Sequence, residues 1–412
     1  MEDSMKNCME DLEKYKTRVE QIDKTVSDDL GTFTEMALDI AAHPELGGEE
    51  VRTSAMLTEA LRTRGWEVEF PYMGLPTAFC ARRKRVKAGE RAPVATLMAE
   101  YDALPEVGHA CGHNLNGVMS LLGGMALADA LEKSGDSPWE VRVVGTPAEE
   151  TNGAKVEMSE KGAFDDVDFA LMAHAAAGLT KPLYRTLALA PLEFDFKGRS
   201  SHAASAPWEG LNALNGLQLF FHALDMLRQH VRPETRIHGI ISKGGEAPNV
   251  VPDFAQGRFY FRSPSRSYLE KILEKVYDCA RGAALCTGTE VTWRSHEVGF
   301  YEILPNPEVE LLTMKTLDEM KIPYSREPYA GGSTDVGNVS WRCPALHLGL
   351  SFSEKEIAGH TREFAAMASD RRLVEPGIEK GAKLLARLGL KVLIDPRLRE
   401  QIKESFERAK KA

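Results

Sequence analysis

The sequence predicts an α/β protein with a mainly parallel central sheet and a smaller, ferredoxin-like domain inserted into it. At 412 residues, the chain is longer than one compact core usually grows. Its first half alternates short, β-rich apolar runs with helical patterns, as in a parallel sheet flanked by helices. From about residue 188 the order becomes strand, helix, two strands, helix, strand. This βαββαβ order is typical of a self-contained two-layer unit.

The N-terminal segment predicts a long amphipathic helix. Apolar residues recur at alternating steps of three and four, at Met5, Cys8, Leu12, Tyr15, Val19, Ile22 and Val26. The periodicity continues towards His43-Pro44, where proline disfavours further helix. We interpret the stripe as packing against the chain's own core, with a coiled-coil dimer as the alternative.

Five apolar runs predict the strands of the larger domain: EVEFPY (67–72), TAFCARR (77–83), PVATLMA (93–99), VRVVGT (141–146) and FALMA (169–173). A helix rich in small residues is predicted at 114–134. Such sheets bind ligands beyond the carboxyl ends of their strands. Five side chains that could serve a site close these apolar runs: Glu100, Asp102, Glu149, Glu150 and His174.

The inserted domain is predicted from four strands and two helices. The strands are LALAPLEFDFKG, TRIHGIIS (235–242), AQGRFYFRS (255–263) and TEVTWRS (289–295), and the helices span 210–230 and 265–285. A helical stretch (306–320), a GGSTD turn (331–335), a strand (345–350) and two C-terminal helices follow. We therefore expect the larger domain at 1–187 and 301–412 and the inserted domain at 188–300.

Charge and composition argue against several classes of protein. The formal net charge is −10, and no long basic run extends beyond Arg82-Arg83-Lys84-Arg85, which argues against nucleic acid and anionic membranes as partners. The N-terminus is charged and lacks the apolar core of a signal peptide, and no apolar run approaches the ~20 residues of a membrane span. The six cysteines form no paired framework, so we expect a reducing, cytoplasmic location.

The segment GHACGHN (108–114) indicates a metal site, because Cys111 and His113 can leave the same face of a turning backbone. Five potential ligands stand out along the chain: Cys111, His113, Glu150, His174 and His360. Thiolate, imidazole and carboxylate donors suit zinc and its neighbours better than magnesium or calcium. Five ligands are too many for one tetrahedral ion but fit two ions if Cys111 or a water bridges them.

Charge counting favours a catalytic pair of ions. Two divalent ions exceed the charge of a thiolate, a carboxylate and a hydroxide by one, which leaves a positive site able to stabilise an oxyanion. Glu149 and Glu150 are adjacent, and neighbouring side chains near a strand end diverge. One of them can bind metal while the other acts as general base and then acid. Spacing leaves open which glutamate has which role.

In combination, the motifs resemble the di-metal aminoacylase/carboxypeptidase/dipeptidase superfamily, in its hippurate hydrolase-like amidohydrolase branch. They are GHACGHN (108–114), TPAEETNGA (146–154), AHAA (173–176), GRSSHAA (198–204), GGEAPNVVPD (244–253) and AGHTREF (358–364). The resemblance covers most of the chain from about residue 30. One motif departs from the branch, since MAEYDALP (98–105) replaces the usual RADxDALP. His113-Asn114 also stands where the branch usually has His-Asp, and residues 333–340 read STDVGNVS. In these features the chain looks closer to the p-aminobenzoyl-glutamate hydrolase B subunit and related dipeptidases.

The resemblance implies that the five potential ligands hold two metal ions, with Cys111 bridging, and that Glu149 is the general base. It also implies that the larger domain is catalytic and that the inserted domain is a lid and dimerisation domain. Whether Glu100 or Asp102 orients a metal-bound histidine stays open.

Substrate contacts are also implied by the resemblance. His202 and Asn249 of the inserted domain would reach the substrate and the tetrahedral intermediate, across a dimer interface in some members. Gly332 and Ser333 would line the pocket, and Arg262 would hold a substrate carboxylate.

The expected function is hydrolysis of an amide bond in N-acyl amino acids or dipeptides by a metal-bound hydroxide. The expected cofactors are two divalent ions, zinc first with manganese or cobalt as alternatives, and the expected assembly is a homodimer. One alternative is an inactive binding protein on the same scaffold, although every expected ligand is present. Another is a serine hydrolase using Ser201 or Ser333 with His202 or His360, but neither serine lies in a GxSxG elbow.

Overall fold

The structure is a computed structural model that describes residues 2–87, 89–133 and 137–411, with side chains described from residue 15 onward. The chain divides into two compact units. The larger unit comprises Met1–Arg185, Ile303–Ala330 and Asn338–Ala412, and the smaller unit comprises Thr186–Glu302 and Gly331–Gly337.

The described helices and strands fall into three consecutive segments of the chain. The first part of the larger unit contains α1 Glu2–Ala42, α2 Val51–Thr63, β1 Glu67–Glu69, β2 Phe79–Arg85, β3 Val94–Ala99, α3 His113–Glu132, β4 Trp139–Gly145, α4 Ala154–Glu160, β5 Phe169–Ala177 and β6 Tyr184–Arg185. The smaller unit contains β7 Ala188–Lys197, α5 Ala213–Leu227, β8 Arg236–Lys243, β9 Phe254–Ser263, α6 Arg266–Thr287 and β10 Glu290–Ser295. The remaining elements are α7 Pro307–Glu319, β11 Tyr329–Ala330, α8 Val336–Ser340, β12 Ala345–Ser353, α9 Arg362–Met367, α10 Arg371–Ile394 and α11 Pro396–Lys411.

The central sheet of the larger unit has the strand order β1-β2-β4-β3-β5-β12. Strands β4, β3, β5 and β12 are parallel, whereas β1 and β2 join antiparallel at one edge. Every residue of β3 is buried, and α3 is buried along nearly its whole length, because its small and apolar side chains lie between the sheet, α1 and α10. The predicted α/β class with a mainly parallel sheet is confirmed.

The long N-terminal helix is also confirmed, and it ends at Ala42, directly before His43-Pro44. Ile22 and Val26 are fully buried in the core of the larger unit, so the described part of the stripe packs against the chain itself. Met5, Cys8 and Leu12 lie outside the described side chains.

Several predicted strand ends differ from the observed ones, and the ends of β1 and β5 bear on the site. Strand β1 stops at Glu69, short of the predicted 67–72, and Pro71 has no N–H to continue the ladder. Strand β5 continues to Ala177, so His174 lies within the strand and does not follow it. The extension is stabilised by β12, whose residues from Ala345 to Ser353 pair with β5 along its length.

The smaller unit has the predicted βαββαβ order. Its antiparallel sheet has the strand order β10-β7-β9-β8, so β8 is an edge strand. Phenylalanines of β7 and β9 pack with α5 and α6 in a separate core, which includes Phe194, Phe196, Phe220, Phe259 and Phe261. Over the described residues of both units, we find no helix with the length and apolar character that a membrane crossing requires.

Candidate metal centre

Two groups of potential ligands share the thiol of Cys111. The donor atoms of Cys111, His113 and His174 lie within 4.8 Å of one another, and so do those of Cys111, Glu150 and His360. The side chains of His113, Glu149 and Glu150 form a third group within the same limit. All these residues belong to the larger unit, so the fold brings together donors that span some 250 positions of sequence.

The backbone at Gly112 directs the first two ligands into the site. Gly112 adopts a left-handed conformation with φ of 78° and precedes the first turn of α3, which begins at His113. A Cβ at this position would lie 2.7 Å from the Cβ of Ala175 and 3.2 Å from the Cε1 of Phe364. Only glycine fits both the conformation and the space.

His113 is oriented by Asp102. Its Nδ1 lies 2.8 Å from the Oδ1 of Asp102, and both side chains are fully buried. The Nε2 of His113 is buried and has no hydrogen-bond partner among the described residues. A buried imidazole nitrogen without a partner, opposite a nitrogen held by a carboxylate, has the arrangement of a metal ligand.

The same aspartate fixes the loop that carries the glutamate pair. The backbone N–H of Glu150 donates to Oδ2 of Asp102 at 2.9 Å, so one carboxylate positions two of the potential ligands. The preceding Ala148 has a positive φ of 58°, and its N–H donates to Oε1 of the buried Glu50 at 2.8 Å. Of the two acidic residues that follow β3, Glu100 and Asp102, it is Asp102 that orients His113.

Glu100 makes different contacts. One oxygen of its buried carboxylate lies 2.7 Å from the Nζ of Lys155, and the other accepts from the Nδ2 of Asn116 at 3.0 Å. Burial alone would raise the pKa of Glu100, but the positive charge of Lys155 outweighs burial and holds this pKa below its ordinary value.

His174 and His360 complete the two groups. The Nδ1 of His174 donates to the carbonyl of Ala175 at 2.8 Å, which leaves its Nε2 directed to the Sγ of Cys111 at 3.5 Å. His360 has a positive φ of 61°, and its backbone N–H donates to the carbonyl of Ala110 at 2.9 Å. Its Nε2 lies 3.3 Å from Oε1 of Glu150.

Burial and neighbouring charges shift the pKa values of the ligand cluster. Burial raises the pKa of the Cys111 thiol far above its ordinary value. Burial lowers the pKa of His113, but the charges of Asp102, Cys111 and Glu100 outweigh burial and raise this pKa well above its ordinary value. The hydrogen bond to Glu150 raises the pKa of His360. The cluster therefore holds protons that a divalent cation would replace, as is usual for metal sites.

The substrate-contact residues predicted by resemblance form two groups within the smaller unit. His202 is exposed, and its Nδ1 accepts from the backbone N–H groups of Ala204 and Ser205 at 3.2 Å each. The segments of His202 and Asn249 are adjacent, since the N–H of Ala203 donates to the carbonyl of Asn249 at 2.9 Å.

Arg262, Gly332 and Ser333 form the other group. An N–H of Arg262 donates to Oγ of Ser333 at 2.9 Å, and the carbonyl of Gly332 accepts from the N–H of Leu187. The hydroxyl of Ser333 donates to a backbone carbonyl, and the buried hydroxyl of Ser201 has no hydrogen-bond partner in the described part of the chain. Neither serine is therefore activated by a histidine, which disfavours the serine hydrolase alternative.

Three site residues were missed by sequence reasoning: Glu50, Asn116 and Lys155. Asn116 could have been found, because it lies three residues after His113 in the first turn of the helix predicted at 114–134. Glu50 and Lys155 carried no signal, since a charged residue in a polar segment is normally exposed.

Overlapping thiolate, imidazole and carboxylate donors beside a further carboxylate suit a pair of divalent ions that activates water for hydrolysis. Residues 188–285 match the peptidase dimerisation domain of the M20 family. The chain is 35% identical over 409 residues to the Xaa-Arg dipeptidase of Mus musculus, covering 96% of this chain and 93% of that protein. It is 33% identical over 320 residues to the p-aminobenzoyl-glutamate hydrolase B subunit of Escherichia coli, covering 73% of this chain and 65% of that protein.

The fold is also similar to the crystal structure of a dinuclear metal-binding M20 peptidase from Bacillus subtilis. The TM-score is 0.67 at 18% identity, and the match covers 89% of this chain and 99% of that one. This chain belongs to the M20 family of peptidases. Its function is metal-dependent hydrolysis of an amide bond, as the sequence predicted.

Proposed function

We propose that the larger unit hydrolyses N-acyl amino acids or dipeptides at the site formed by Cys111, Glu149 and their neighbours, and that the smaller unit acts as lid and dimerisation domain. The observation that supports this most strongly is the pair of overlapping donor groups that share Cys111, beside a second carboxylate. Two ions that share one thiolate use all five protein donors without crowding either ion.

The residues that would hold the ions are Cys111, His113, Glu150, His174 and His360, with Cys111 as the bridge. The buried and unpartnered Nε2 of His113 supports this set, as does the buried Oε1 of Glu150. We propose zinc as the native metal, with manganese or cobalt as alternatives, because sulfur and nitrogen donors favour these ions over magnesium and calcium. When bound, the ions polarise the amide carbonyl and lower the pKa of water.

Glu149 is the proposed general base and acid. Its carboxylate lies in one group with His113 and Glu150, close enough to the ligands to take a proton from the attacking water. The same carboxyl group then delivers this proton to the leaving amine. One glutamate is therefore sufficient for both proton transfers of the reaction.

The proposed substrate has a free amino-acid carboxylate next to the scissile bond. The names of the two relatives describe hydrolysis of dipeptides with C-terminal arginine and of p-aminobenzoyl-glutamate, and both kinds of substrate have this carboxylate. Arg262 would pair with it, and Gly332 and Ser333 would line the pocket. His202 and Asn249 would contact the reacting carbonyl. We also propose a cytoplasmic location, because Cys111 must remain reduced to bind metal.

The test is Glu149→Gln, assayed with Xaa-Arg dipeptides, other dipeptides and p-aminobenzoyl-glutamate in the presence of zinc, manganese or cobalt. We expect metal content to stay at two ions while turnover falls by roughly 10²–10⁴-fold, because proton transfer is lost and the ligands remain. Glu157→Gln is the matched control, since Glu157 pairs with Lys161 at the surface. Metal retention with turnover intact would remove Glu149 from the mechanism.

We propose that the homodimer forms through the edge strand β8 and the helix α5 of the same unit. The backbone of β8 lacks a strand partner on one side within the described sheet, and Ile241 of β8 and Met226 of α5 are exposed, Met226 to 74%. Ile241→Lys with Met226→Lys should give a monomer by sedimentation velocity at concentrations where the unmodified chain is a dimer. Leu285→Lys is the control, because Leu285 is an exposed apolar residue on a different helix, α6. A dimer that survives the paired substitution contradicts this interface.

A further inference from the structure

A fully buried ion pair lies beside the ligand cluster and has no place in the proposed reaction. The side chains of Lys155 and Glu100 are 0% and 1% exposed, and their Nζ and Oε1 atoms lie 2.7 Å apart. Lys155 lies in the first turn of α4, directly after the loop of Glu149 and Glu150. Burying two charges costs free energy that their attraction seldom exceeds, so such a pair is better explained by a specific role than by stability.

The pair belongs to a network that joins the elements carrying the ligands. The second oxygen of Glu100 accepts from the Nδ2 of Asn116 at 3.0 Å, and the Oδ1 of Asn116 accepts from the N–H of Ala175 at 2.8 Å. Ala175 follows His174 on β5. At Gly117 a Cβ would lie 2.7 Å from the carbonyl oxygen of Glu100, so the glycine lets α3 approach the end of β3. Lys155 thus connects α4 to β3, α3 and β5.

Glu100 also lies where it could compete for a metal ion. Its Oε2 is 3.5 Å from the Nε2 of His113, the nitrogen that faces the proposed metal position. A carboxylate released at this distance would be a sixth protein donor and would add a negative charge to the site. Each Glu100 oxygen accepts one hydrogen bond, Oε1 from Lys155 and Oε2 from Asn116, which limits its freedom to turn toward an ion.

We propose that Lys155 is a positioning residue that keeps Glu100 out of the metal coordination and so limits the ligand set to five. The inference rests on the proposed dinuclear site. Lys155 neutralises the charge of Glu100 in a position that water does not reach, and its hydrogen bond sets the direction of the carboxylate. The role concerns the geometry and charge of the site, and Lys155 takes no part in bond breaking.

The test uses the full chain loaded with cobalt, and its readouts are metal stoichiometry and the visible absorption spectrum. We expect Lys155→Met to bind two ions with weaker d–d absorption, which indicates a higher coordination number, and with metal affinity changed by roughly tenfold. The double variant Glu100→Gln/Lys155→Met should regain the unmodified spectrum, because an uncharged amide is a poor ligand. Lys161→Met, at an exposed pair just beyond the end of α4, should leave both readouts unchanged.

Three results would overturn the inference. Lys155→Met with the unmodified spectrum and affinity would show that Lys155 is dispensable for the ligand set, even if thermal stability falls. A double variant as perturbed as Lys155→Met would show that Glu100 is not the cause. If Lys155→Met does not fold, Lys155→Ala removes both the charge and the hydrogen bond with a smaller side chain, and an unmodified spectrum there overturns the inference equally. Failure of the unmodified chain to bind two cobalt ions would instead refute the proposed dinuclear site.

Discussion

Replacement of Asp102 by asparagine tests whether one buried carboxylate positions both sides of the metal centre. Oδ1 of Asp102 lies 2.8 Å from Nδ1 of His113, and Oδ2 accepts the N–H of Glu150 at 2.9 Å. Both oxygens face donors, because His113 must keep its proton on Nδ1 for Nε2 to bind metal. An asparagine presents one oxygen and one NH2 group, so either orientation places a donor against a donor.

The expected magnitude follows from these contacts. Loss of a carboxylate that orients a metal-bound histidine typically weakens metal affinity by about 10–100-fold. That range corresponds to about 1.4–2.7 kcal/mol of binding free energy. The buried donor left without an acceptor should lower the free energy of unfolding of the metal-free chain by about 1–3 kcal/mol.

The assay is chelator competition for the metal, combined with denaturant unfolding of the metal-free chain. Asp165→Asn is the matched control, because the exposed Asp165 forms a bidentate ion pair with Arg342. Its Oδ1 and Oδ2 accept from Nε and Nη2 of Arg342 at 2.7 and 2.6 Å. Exposed pairs contribute about 0–1 kcal/mol, and this one lies at the surface. Metal affinity in Asp102→Asn equal to that of the control would refute the claim that Asp102 orients the ligands.

Two further predictions concern the cysteine motif. Apparent metal affinity should rise with pH through the neutral range, because burial raises the pKa of the Cys111 thiol and metal binding must displace its proton. Metal addition to Cys111→Ala, followed with an indicator dye, should release fewer protons than addition to the unmodified chain, and equal release would argue against Cys111 as a ligand. Gly112→Ala should lower the free energy of unfolding by about 1–3 kcal/mol from the left-handed backbone alone and by more from the contact with Ala175. Gly48→Ala isolates the backbone contribution, since Gly48 has a φ of +87° and nothing within 4 Å of the added Cβ, and equal losses in the two variants would argue against the contact.

Local patterns were sufficient for most of the fold. Helix α1 and the βαββαβ order could be read from apolar periodicity, because each element buries one stripe or one face. Strand ends were less certain: β5 extends past His174 because β12 pairs with it, and a partner some 170 positions away leaves no mark on the local pattern.

The donor types were also determined by the sequence. A thiol, imidazoles and carboxylates predict a site for soft or borderline divalent ions, since chemical softness is a property of each side-chain type. The family resemblance rests on the same motifs, and the comparisons confirm it.

Only the tertiary structure decided how the acidic residues around these donors are used. Glu100 and Asp102 both follow β3, yet Asp102 contacts His113 while Glu100 contacts Lys155. Lys155 has the sequence context of a surface lysine and is fully buried. The physical reason is that the contacts of a charged side chain depend on which elements enclose it. Those neighbours come from distant parts of the chain and are set by packing, whereas the local sequence fixes only the type of side chain.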